Sequence, residues 1–118
     1  MNLKKLLKLW LPVVFWCLLI FIGSSIPSPQ PTKTFLDFIL HKLFHLFEYA
    51  VLFILVYRAT RNFGFALLFV ISYAFSDEIH QSFVPTREPT LRDVFIDIVG
   101  GLLGWQFLLR VPLWQQKN

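Results

Sequence analysis

The side chains able to hold a charge or move a proton lie where lipid-compatible sequence should be. His45, Glu48, Asp77, Glu78, His80, Asp93 and Asp97 all interrupt apolar runs. Their spacing sorts them into three helical faces. His41, His45, Glu48 and Tyr49 follow the i, i+4, i+7, i+8 pattern of one face. Tyr73, Asp77, His80 and Gln81 repeat it. Asp93 and Asp97 lead into Gly100, Gly101 and Gly104, a stripe that turns from polar to small. Gly100 and Gly104 have the small-xxx-small spacing that lets two helices approach closely.

Several chemistries fit these residue types. His45, Asp77 and His80 are candidates for acid–base catalysis. Histidines at i and i+4 converge on one ion, so His41 and His45, completed by Asp77 or His80, are candidate metal ligands. A hydrolytic metal would also need an open water position. The plainer reading makes His41 an interfacial residue, and on that reading no metal or other cofactor is bound. Lys42, Arg87 and Arg92 suit a phosphate or carboxylate, helped by the N-terminus of the last helix. Against this, Arg87 has Glu88 beside it and lipid headgroups within reach. Asp93 is half explained as a helix cap. Asp97 lies too deep for that and can also be read as fastening helices through His45, Lys42 or Tyr73. Glu48, Asp77, Glu78, Asp93 and Asp97 outnumber the nearby cations, which leaves room for bound positive charge. Ser76 and Ser82 stand in no nucleophile motif, and Cys17, the one cysteine, falls in an apolar run.

The elements that carry these faces follow from composition. Of 118 residues, 56% are hydrophobic and 15% charged, against about 25% charged in soluble domains. So short and apolar a chain has too little polar surface for a water-soluble globule. The net charge of +4 is not arranged as a basic stripe with interleaved aromatics, which excludes a nucleic-acid binder. The expectation is a single all-α, polytopic membrane domain of four transmembrane helices, at about 6–24, 36–57, 63–83 and 91–110. Pro27, Pro29 and Pro31 mark an extended linker. Thr34 to Asp37 and Thr90 to Asp93 read as capping boxes. Arg58, Arg61 and Asn62 form a basic turn. The first helix has a second reading as a signal peptide ending at Gly23-Ser24-Ser25, but the A-x-A pattern is missing and Trp10 and Trp16 look like membrane anchors.

Placing both termini in the cytoplasm puts seven basic residues on inner ends and four on outer ends, the bias that orients bacterial membrane proteins. All seven acids and all three histidines then fall in the outer half. A span needs roughly 20 residues, so Glu48 lies near the bilayer middle and Asp97 a turn deeper than Asp93. A charge there costs about 2.5–3.5 kcal/mol. Such groups are tolerable if they face one another or a wet cavity, and an outward polar pocket among helices two, three and four is expected.

These residues carry a resemblance. Lys42-x-x-His45-x-x-Glu48-Tyr49, then Asp77-Glu78-x-His80-Gln81-x-Phe83-Val84-Pro85-x-Arg87, then Asp93-x-x-x-Asp97-x-x-Gly100-x-x-x-Gly104 resembles the VanZ-like family of small bacterial membrane proteins. The match covers about two thirds of the chain. Two positions depart: Thr86 replaces a frequent glycine and Asp97 a frequent asparagine. The resemblance implies a multi-pass protein of the bacterial cytoplasmic membrane, associated with low-level resistance to the glycopeptide teicoplanin. It supplies no mechanism. Besides the bilayer, the partner expected from the pocket's depth and mixed charge is a lipid-linked or amphiphilic envelope precursor, or a glycopeptide. A membrane hydrolase or transferase and a non-catalytic assembly partner remain alternatives.

Overall fold

The computed structural model describes residues 2–25, 35–84 and 91–111, and it describes them as an all-α membrane protein. The proline linker, the residues Thr34 and Thr90 that open the two capping boxes, and Arg87 lie outside the described residues. Four helices follow in order: α1 Leu3–Ser25, α2 Phe35–Thr60, α3 Phe63–Gln81 and α4 Leu91–Leu109.

α1, α2 and α3 are each long and apolar enough to cross a membrane. α4 equals α3 in length at 19 residues but carries Arg92, Asp93 and Asp97, and it is not among the three. Two of those charges are spent within the protein: Asp97 is 1% exposed and Asp93 pairs with Lys42. The outer surface is apolar. Phe44, Leu68, Phe95 and Phe107 stand exposed, as expected of side chains whose solvent is lipid.

Side-chain pairings fix the topology. Between α2 and α4, Lys42 meets Asp93, His45 meets Asp97 and Phe53 meets Trp105. Between α1 and α3, Trp10 meets Phe65, Tyr73 meets Cys17 and Ser25 meets His80. Both series advance in the same direction, so each pair is parallel and the bundle runs up, down, up, down. α2 packs most extensively on α4 because glycine lets backbones touch. A Cβ on Gly100 would lie 2.6 Å from the Leu46 carbonyl oxygen, and one on Gly104 2.5 Å from that of Ala50. Gly101 turns instead toward Val70 of α3.

The α2–α3 link is tighter than the turn read from sequence. Arg58 lies in the last turn of α2, and only Arg61 and Asn62 lie between the helices. Arg61 takes a left-handed conformation (φ 55), the usual way to leave a helix. Asn62 caps α3, its side-chain oxygen accepting the Phe65 N–H at 2.9 Å. α3 ends at Gln81 rather than at 83, because Ser82 and Phe83 continue as turn.

The core joins Tyr49, Leu52, Phe53, Val56, Ala66, Val70 and Ala74, all fully buried. At one end the bundle is aromatic: Phe53, Tyr57, Phe63 and Trp105 pack edge-on or stacked, with Arg61 over the Tyr57 ring. At the other end it is polar.

Candidate functional site

The polar end is assembled by all four helices. On α3, Asp77, Glu78 and Gln81 are buried at 3%, 9% and 5% exposure, and on α4 Asp97 is buried at 1%. These groups are held inside the protein rather than against lipid, where a charge is most costly.

Asp77 is well held. The Tyr49 hydroxyl donates to its Oδ2 at 3.3 Å, and the Gln81 amide reaches the same oxygen at 3.5 Å and Ser24 Oγ at 3.3 Å. Tyr49 is itself fully buried, so its hydroxyl has been steered onto Asp77 by packing.

Asp97 is held differently. His45 Nδ1 stands 3.4 Å from Asp97 Oδ1, within ion-pair range. The geometry falls short of a hydrogen bond, and among the described residues neither that nitrogen nor either Asp97 oxygen has another partner. An unbonded buried carboxylate is expensive, which makes this contact the least settled in the bundle. Of the three fastening partners considered for Asp97, His45 takes the place. Lys42 is committed to Asp93, and the Tyr73 hydroxyl donates to the Cys17 carbonyl at 2.5 Å.

Polar contacts thus join α2 to both neighbours: His45 and Lys42 reach Asp97 and Asp93 of α4, and Tyr49 reaches Asp77 of α3.

The three histidines divide. His41 and His45 meet edge to face on α2, their ring centroids 4.8 Å apart. His80 faces α1, its ring stacked on Phe21 at 4.0 Å and its Nε2 3.2 Å from Ser25 Oγ. Among the described residues no three His, Cys, Asp or Glu side chains are grouped to hold a metal ion. His45 and His80 thus serve separate contacts, one with α4 and one with α1.

The contribution of α1 is not visible in the sequence. Ser24 and Ser25 reach Gln81 and His80, and the Trp16 indole donates to the Glu48 carbonyl at 2.8 Å. In the sequence the Gly23-Ser24-Ser25 trio enters only as the end of the disfavoured signal-peptide reading, yet its two serines are the ones that reach α3. The partners of Trp16 and Tyr73 are backbone carbonyls, which every residue carries.

The VanZ/LLP1 family model matches residues 9–113, which takes in most of α1, all of α2, α3 and α4, and every site residue named above. No curated protein and no solved structure matches. With apolar helices around a polar end and a family match over nearly its whole length, the chain belongs to the VanZ/LLP1 family of membrane proteins.

Proposed function

We propose that this protein binds, or acts on, a lipid-linked or amphiphilic cell-envelope molecule through its polar end, and that the outcome is low-level resistance to teicoplanin-type glycopeptides. The polar end faces outward from the bacterial cytoplasmic membrane and both termini lie in the cytoplasm, in keeping with the basic residues at the start of α1. The reading rests on one observation above the others: Asp97 is buried beside His45, and among the described residues neither of its oxygens is hydrogen-bonded. Fastening helices alone would favour a fully bonded or apolar contact, since an imperfect buried ion pair is often less stable than a hydrophobic replacement. A buried carboxylate held so poorly by its neighbours is better explained by use than by fastening alone.

The test is teicoplanin susceptibility in a bacterial host expressing the protein, with membrane levels measured alongside. Asp77→Ala and Arg87→Ala should each abolish resistance at unchanged protein level. Unchanged resistance in both variants would refute the reading. Loss of protein from the membrane together with loss of resistance would instead mark the polar groups as fasteners.

A further inference from the structure

Among the described residues every acid lies at the polar end or in the middle of the bundle, and the opposite end is basic. Trp10 of α1 packs on Phe65 near the start of α3, so the first turns of α1 belong to that basic end. Lys4, Lys5 and Lys8 stand exposed there, and among the described residues none of them pairs with an acid. α1 gains no stability from them. Its first turn holds no acid, cations near a helix N-terminus oppose the macrodipole, and Lys4 and Lys8 are like charges one turn apart. An anion from outside the chain would relieve both penalties. The lysines also open a row. Lys4, Lys8, Leu11, Phe15, Leu18 and Ile22 share one face of α1. The four apolar members are each more than half exposed, while Val13, Cys17 and Ile20 on the other side pack into the bundle.

Cations that lead straight into a strip of lipid-facing side chains have a definite complement. We propose that this face of α1 holds an anionic phospholipid, its phosphate against Lys4 and Lys8 with Lys5 alongside, and an acyl chain along Leu11, Phe15 and Leu18. A zwitterionic lipid brings the same phosphate with a cation attached, so the lysines discriminate by the net charge of the headgroup. Free phosphate has the charge but no chain to lie along the row. The site is at the far end of the bundle from Asp77 and Asp97, and it stands or falls apart from the function proposed for the polar end.

The experiment mixes the full-length protein in neutral detergent with equal amounts of phosphatidylglycerol and phosphatidylcholine, and counts the lipids retained by native mass spectrometry. The readout is independent of membrane orientation, which the same lysines help to set. Phosphatidylglycerol should be retained in preference. Lys4→Gln and Lys8→Gln should each lower that preference about fivefold, the worth of one basic residue at a membrane surface, and Lys4→Arg should keep it. Phe15→Ala, which changes no charge, should lower the amount of phosphatidylglycerol retained. Arg110→Gln removes a cation from the same end but from α4, and it should leave the preference nearly unchanged. Inorganic phosphate should displace the lipid no better than sodium chloride of equal ionic strength. Equal retention of the two lipids by the wild-type protein would overturn the inference. So would a loss in Arg110→Gln as large as in Lys4→Gln, which would mark the potential of the whole end rather than a site on α1. Displacement by phosphate beyond that by salt would mark an anion site that needs no lipid, and would overturn it too.

Discussion

Replacing Gly104 by alanine tests how the site is held together. The new Cβ would lie 2.5 Å from the Ala50 carbonyl oxygen and 3.1 Å from its Cα and carbonyl carbon. Those atoms are backbone within a helix, so no rotamer change can relieve the clash. α2 and α4 would have to separate by roughly 0.9 Å to reach the 3.4 Å at which ordinary contact begins. Overpacking of this kind costs about 1–3 kcal/mol, and a closed backbone contact belongs at the upper end. Alanine's better helix propensity returns about 1 kcal/mol, leaving a net loss of about 1–2 kcal/mol. Gly100→Ala meets the Leu46 carbonyl oxygen at 2.6 Å and should behave alike. Gly101→Ala meets side chains rather than backbone, Val70 Cγ1 at 3.0 Å and Phe53 Cδ2 at 3.7 Å, which can yield, and should cost less. Gly23 has nothing within 4 Å of a Cβ, and Gly64 only Asn62 Oδ1 at 3.4 Å, so alanine there should be neutral or stabilising. The assay is unfolding of each purified variant in one detergent. A Gly104→Ala protein as stable as Gly23→Ala would refute the close α2–α4 crossing and with it the placement of Asp97 against His45.

Other outcomes follow from single contacts. Asn62→Ala should lower stability by about 1 kcal/mol through loss of the α3 cap, and Asn62→Ser should restore most of it. Trp16→Phe keeps the ring but deletes the bond to the Glu48 carbonyl, so thermal unfolding should register a loss of about 1 kcal/mol. Lys42→Asp and Asp93→Lys should each destabilise, while the double variant recovers most of the loss, because the charges meet across α2 and α4. A double variant as unstable as the sum of the singles would deny that pairing.

Periodicity made much of this molecule legible. The i, i+4, i+7 faces around His45, Asp77 and Asp97 required helices, and the cost of charge in lipid required that the faces turn inward. The stripe from Gly100 to Gly104 announced a close crossing, though only the structure identifies Leu46 and Ala50 as the backbone it meets. What could not be read is which polar atom meets which. Asp77 and Asp97 are both acids on helical faces, yet one accepts from Tyr49 and Gln81 and the other has no hydrogen bond among the described residues. That difference depends on helix rotation by a fraction of a turn. His80 sits one residue from Gln81, but its ring goes to Phe21 and Ser25 of a helix distant in sequence. The turn at Arg61 was read as longer because basic residues mark membrane ends without marking where a helix stops.

The central claim is that ionisable side chains from separate helices meet inside the bundle at one end. It is tested most directly by magic-angle-spinning dipolar recoupling in lipid bilayers, with ¹⁵N on histidine and ¹³C on the aspartate carboxyls. The wild-type protein should show a ¹⁵N–¹³C coupling between His45 Nδ1 and the Asp97 carboxyl carbon, whose Oδ1 stands 3.4 Å from that nitrogen, and that coupling should vanish in His45→Gln. Absence of any histidine–aspartate coupling in the wild-type protein would contradict the account.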